Sequence, residues 1–202
     1  MESVSFTAMK DGAREDYLFL KPLEEKHAKG TAARLLRELS LQDAESLPGY
    51  QVTRLGHALQ AATRAWRDGA DVDWIVAALL HDIGDGLAPQ NHDRFAEEIL
   101  RPFVREEVAW TVGRHGAFQM VYYAHHYGWD ANERERYRDS PYFQSCADFC
   151  ERWDQSSFDP GYDAKPLAFF APMVEEVFAR KAYDPAVVQA GVVKGLPKAR
   201  GE

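Results

Sequence analysis

Apolar residues recur along this chain at helical spacing, not in the alternation of a half-buried strand. Residues 20–42 (LKPLEEKHAKGTAARLLRELSLQ) scatter them among charges, as on a surface helix, and Pro48-Gly49 then marks a turn. YQVTRLGHALQAATRAWRDG predicts a helix with Val52, Leu55, Leu59 and Ala62 as its apolar stripe and Gly69 as its cap. DVDWIVAALLHDIG predicts the next, with Asp71 or Asp73 near its start. Further helices are predicted over NHDRFAEEILRPF, REEVAWTVGRHG, SPYFQSCADFCERWDQSS and PLAFFAPMVEEVFARKA. In the third of these, Ser140 stands as N-cap and Pro141 in the first turn. YYAHHYGWD reads as an aromatic-rich loop, and the tail after Asp184 as loosely held. No hairpin signal and no internal repeat interrupts the pattern. The expectation is one all-α domain over 1–202, with its core between about 20 and 183.

Composition narrows the function more than the fold. With 202 residues and 46% hydrophobic content, the chain can build one sizeable core. A net charge of −8 argues against an electrostatic nucleic-acid binder, which needs a basic face. No apolar run approaches the roughly 20 residues of a membrane span. The start, MESVSFTAMKDGARED, lacks the basic and apolar regions of a signal peptide. A cytoplasmic protein with no membrane partner is expected. Cys146 and Cys150, four apart on a helix, suit a shared helical face better than a disulfide framework.

The candidate chemistry lies in ionisable groups placed where helices bury themselves. The apolar run Ala77-Ala78-Leu79-Leu80 ends on His81-Asp82, and Ile83-Gly84-Asp85-Gly86 then breaks the helix. His57 sits beside the apolar stripe, His92 opens a helix, His115 ends one, and Asp154 follows Trp153. Any one of these has an ordinary explanation as a core histidine or a capping carboxylate. Together, four imidazoles and two carboxylates left unpaired in a core would each cost kilocalories. A central cation satisfies them jointly. Nitrogen and carboxylate donors suit iron, manganese or zinc better than magnesium or calcium.

The order His57, His81-Asp82, Asp154 resembles the HD-domain superfamily of metal-dependent phosphohydrolases. His92 and His115 between them, with LGHALQAA, ALLHDIGD and RWDQSSF, are similar to the branch containing inositol oxygenase and phosphonate-cleaving enzymes. The resemblance runs from about residue 50 to 180. It implies a helical bundle with a buried dinuclear site holding two iron ions, mixed-valent Fe(II)/Fe(III), with manganese or another divalent transition metal as the alternative. His57, His81 and Asp154 would hold one ion, His92 and His115 the other, and Asp82 would bridge them. The implied reaction uses O2 to oxidise a C–H bond of a small substrate. The alternative is a phosphohydrolase in which the metals activate water against a nucleotide or phosphate ester. A catalytically dead binding module would be missing a ligand, and no ligand is missing.

Several residues keep two readings. Asp148 is an alternative terminal ligand to Asp154, although with Cys146 and Cys150 it also suits the core. His125-His126 could line the pocket mouth or sit in an exposed loop; some dinuclear HD hydrolases use such a pair as ligands. His27 lies in a charged stretch and is expected in solvent. Tyr50, two helical turns before His57, reaches either the same pocket or the core. Gln119 is a further candidate lining residue. The resembled enzymes often carry a basic residue three positions after the metal-binding Asp, facing substrate, where this chain has Asp85. As a catalytic or substrate-binding group there, Asp85 would repel a phosphate and favour a substrate gripped through hydroxyl or amine groups. Its other reading is a cap or a partner for a nearby arginine. The glycines after Asp82 are expected to open the helix end toward substrate.

Overall fold

The computed structural model describes residues 2–44 and 48–198. Among them are ten α-helices and no strand, as the periodicity predicts. None is long and apolar enough to cross a membrane. Helix α4 (Val72–Leu80) lies at the centre, with every residue from Asp73 to Leu80 buried. A helix apolar all round has no solvent face to offer and must be surrounded. Asp71 caps it by accepting from the Trp74 amide at 3.2 Å. Buried Asp73 accepts from Arg105 and Arg180 instead of capping.

Helix α3 (Arg54–Arg67) packs on α4 through Ala58, Ala61, Ala62 and Ala65, all fully buried. Its core stripe is therefore rotated from the one expected. Leu55 and Leu59 are only half-buried and Val52 precedes the helix. Small side chains let the two axes approach, and that closeness decides which face turns inward. Gly69, at φ +80°, terminates α3 as predicted.

The single helix expected over 20–42 begins earlier and breaks in the middle. Helix α1 (Arg14–Lys29) stops at Gly30, and α2 (Thr31–Leu41) starts from it. Glycine is a poor interior helix residue, and the Thr31 hydroxyl donates to the Ala28 carbonyl across the break. Helix α9 (Leu167–Phe178) packs on α2 and α4. The short α10 (Pro185–Val188) is capped by Asp184.

Helices α5 (His92–Leu100) and α6 (Glu106–Val112) pack together beside the centre. The principal departure from the sequence expectation follows them. His115 starts a helix, where the pattern placed it at the end of one, and the expected aromatic loop is part of α7 (His115–Tyr127). Only His115, Phe118 and Ala124 of α7 are buried, so its apolar stripe is too thin to show in the sequence. Helix α8 (Phe143–Phe149) starts three residues after Ser140 and runs on into one π-helical turn over Cys150–Asp154. There the Gln155 amide reaches back five residues to the Cys150 carbonyl, at 3.0 Å.

Close packing makes one glycine indispensable. A Cβ on Gly113 would lie 1.9 Å from a carboxylate oxygen of Glu97, which is buried and held by Arg94, Arg101 and Arg114. Gly113→Ala should lower the unfolding free energy by about 1–3 kcal/mol. Urea denaturation checks this, and an unchanged midpoint would mean that Glu97 swings aside freely. The tail is also held. Glu107 accepts from the amides of Lys194 and Gly195, the Trp74 indole donates to the Gly195 carbonyl, and Arg152 donates to that of Pro197.

Candidate metal centre

Five separate stretches of chain deliver side chains to one point at the end of α4. Thr53 caps α3 by accepting from the Gly56 amide at 2.9 Å, and its hydroxyl donates to Asp43. His57 therefore sits in the first turn of α3, buried. His81 and Asp82 occupy the turn that ends α4, and the buried Gln42 side chain donates to the Ile83 carbonyl at 3.1 Å to hold that turn. His92 and His115 are the first residues of α5 and α7. Asp154 closes the π-helical turn, fully buried. Gly84 has a different task from the one expected. A Cβ there would lie 3.0 Å from the backbone of His92 and from Phe95, so the bare backbone lets α5 approach Asp82.

The imidazoles are oriented from behind. The Nδ1 atoms of His57, His81, His115 and His92 face the carbonyls of Ser157 (3.0 Å), Ala78 (2.8 Å), Val112 (2.7 Å) and Pro89 (3.3 Å). A carbonyl only accepts, so each Nδ1 carries a proton, and in the neutral ring each Nε2 presents a lone pair inward. His57 Nε2 and His81 Nε2 then face one another at 3.0 Å. Asp154 Oδ1 lies 3.3 Å from the first and 3.5 Å from the second. It has no hydrogen-bond partner among the described residues, although the atom is buried. Two lone pairs and an orphaned carboxylate oxygen in contact repel unless a positive charge lies between them. Donor atoms about 2.1 Å from a shared ion stand about 3.0–3.4 Å from one another, which matches these spacings. The residues fit a metal ion, and carbonyl-backed histidines are the usual support for one.

Asp82 divides its carboxylate. Oδ2 faces His57 Nε2 at 3.4 Å and His81 Nε2 at 3.5 Å. Oδ1 faces His115 Nε2 at 3.0 Å and His92 Nε2 at 3.4 Å. Among the described residues three overlapping groups able to hold an ion result: His57–His81–Asp154, His81–Asp82–His115 and Asp82–Asp85–His92. The charges reinforce one another. Burial pushes the imidazoles of His57, His81 and His115 down, but Asp82 and Asp154 outweigh it and hold them above their usual range. Burial also raises both carboxyls, and the surrounding histidines more than reverse it, keeping Asp82 and Asp154 well below the usual range. For the more exposed His92, burial prevails and the shift is downward.

The remaining sequence candidates divide. Asp148 lies outside the cluster, accepting from Gln144 at 2.6 Å. Cys146 and Cys150 are buried and free, with their sulfurs against the carbonyls of Thr111 and His115. Asp85 forms an ion pair with Arg54 and lies 3.4 Å from His92 Nδ1. Both line a cavity of about 290 Å³ over the metal ligands, with Tyr50, Gln119 and Phe158. Gln119 also donates to Asp154 Oδ2, leaving Oδ1 for the centre. His125 is a correction. It is exposed, its ring is tilted by 42° against that of His126 with centroids 3.9 Å apart, and it is absent from the lining of this cavity. Six residues past Gln119, it has turned about 120° away around α7. His27 is exposed, as expected.

Sequence reasoning missed Arg54, Phe158 and Gln42. Arg54 is three residues before His57 on the same helix, a spacing that signals a shared face. Phe158, whose ring stacks on His57 with centroids 4.5 Å apart, is the last residue of the RWDQSSF stretch, but nothing in that stretch assigned the ring itself to the site. Gln42 acts from 40 residues away and has no sequence signal at all.

The HD-domain family model matches residues 50–150, a segment that contains His57, His81, Asp82, His92 and His115 and stops just short of Asp154. No curated protein matches the chain. The match spans half of the chain, which belongs to the HD-domain family, a superfamily of metal-dependent enzymes.

Proposed function

We propose that the chain is a dinuclear HD-domain oxygenase that uses O2 to oxidise a C–H bond of a hydroxyl- or amine-bearing substrate. The observation that carries the dinuclear reading is the divided carboxylate of Asp82, with each oxygen facing a different pair of histidines. His57, His81 and Asp154 would hold one ion, His92 and His115 the other. The nitrogen-rich donor set suits iron, with manganese the alternative. An Fe(II)/Fe(III) pair would supply one-electron chemistry with dioxygen at the substrate carbon, as the resemblance to the inositol oxygenase branch implies.

The protein's own groups would bind and orient. The histidines' backbone carbonyl partners hold the rings still, and Phe158 shields His57 from solvent. Asp85, at the cavity wall, accepts hydrogen bonds from a hydroxyl or an amine. Its pairing with Arg54 lowers the repulsion that a lone carboxylate would exert on an anion. That pairing favours a second reading, a phosphohydrolase, because Arg54 lies within the cavity where a phosphate would sit.

Iron-loaded protein should consume dioxygen with polyols or amino alcohols and bind these more tightly than their phosphorylated analogues. Oxygen-electrode traces and calorimetric titration check both statements. Hydrolysis of phosphate esters with manganese, without oxygen uptake, would replace this reading with the second.

A further inference from the structure

A second cavity adjoins the first. It measures about 630 Å³ and is lined by Gly49, three glutamines and six aromatic residues. Tyr50, Gln119 and Phe158 border both cavities. Five of the aromatics are unusually exposed for their type: Tyr50, Tyr123, Tyr127, Trp129 and Phe158. Tyr127 stacks on Trp129 with centroids 4.7 Å apart, and Tyr50 on Phe158 at 5.8 Å. Large aromatic surfaces gathered around one hollow are seldom left bare without a ligand.

The lining selects the ligand. No lysine, arginine, aspartate or glutamate is part of it, so neither a phosphate nor a compact ammonium ion finds its counter-charge. Aromatic faces offer stacking to a planar ring. The amides are oriented too. Gln119 donates its nitrogen to Asp154 and Gln155 donates its own to the Glu151 carbonyl, at 3.0 Å. Their carbonyl oxygens remain for a donor on the ligand. A bare quaternary ammonium group has no N–H and would make no hydrogen bond to those oxygens.

We infer that this cavity binds a neutral, planar, nitrogen-containing aromatic ring that carries an amino group. It would hold the distal part of the substrate while a hydroxyl-bearing part reaches the metal centre. The second half of that statement rests on the proposed oxygenase reading; the ring site does not.

Adenosine serves as the probe, against inosine (which lacks the amino group), choline and glucose, in calorimetric titrations of the full chain. Adenosine should bind saturably and inosine more weakly. Trp129→Ala should weaken adenosine about tenfold, since it removes a stacking face. Protein stripped of metal with a chelator, its metal content measured alongside, should bind adenosine as tightly as untreated protein. Choline or glucose binding in preference to adenosine, or an unchanged Trp129→Ala affinity, would overturn the inference. So would adenosine failing to bind, including the case in which light scattering shows the aromatic face joining two copies of the chain. No arm depends on iron or dioxygen, so a failed oxygenase assay leaves the result readable.

Discussion

Asp82→Ala should leave the protein folded and nearly free of metal. The Asp82 carboxylate faces all four histidines of the centre, two through each oxygen. Its removal takes a donor from both positions at once and strips the cluster of one of its two central negative charges. Disturbing a group that merely orients a ligand costs about 10–100-fold in metal affinity. Loss of a shared ligand should exceed that range for both ions. Elemental analysis after dialysis reads the outcome, and far-UV circular dichroism shows whether the helices persist. His81→Ala should approach the same result. Full metal content in Asp82→Ala would refute the bridging role and return each ion to a separate site.

Asp154→Ala and Asp148→Ala should separate sharply, although the two carboxylates lie six residues apart on one helical stretch. Asp154 is fully buried with Oδ1 toward His57 and His81, while Asp148 only accepts from Gln144. The first variant should lose the ion held with His57 and keep the one held by His92 and His115. The second should retain its metal and change stability by less than about 1 kcal/mol, as for a peripheral hydrogen bond. Metal-to-protein ratios measured on both variants decide the matter, and the reverse pattern would move the terminal ligand to Asp148.

Much of this was legible in the sequence because the signals are local. The uniformly apolar run of α4 announces a central helix, and His81-Asp82 at its end announces buried charge. The all-helical class follows from periodicity, and Gly69 does end α3. Elements without a strong stripe were not legible. Helix α7 buries three side chains, and its start at His115 depends on the turn through Gly113 and Arg114. Long-range partners were also hidden. Asp85 does take an arginine partner, as its other reading had it, but nothing near it names Arg54, and nothing near Trp74 names the Gly195 carbonyl. The exposed face of His125 illustrates a third kind of miss, since a residue read in a loop carries no helical phase until the helix is known.

The π-helical turn before Gln155 gives the centre a dependence on counting as well as on chemistry. Such a turn holds one residue more than an α-helical turn. If the same five residues rewound as an ordinary α-helix, with their number unchanged, the chain would turn further about the axis by roughly one residue's rotation. Asp154 would then swing by about 100°, away from His57 and His81. The ligand would still be present in the text of the chain and absent from the cluster. Deleting one residue of the turn together with that rewinding would return Asp154 to nearly the same side, so only the two changes together preserve the centre. An alignment gap placed a residue too early or too late here would assign the terminal carboxylate to the wrong aspartate.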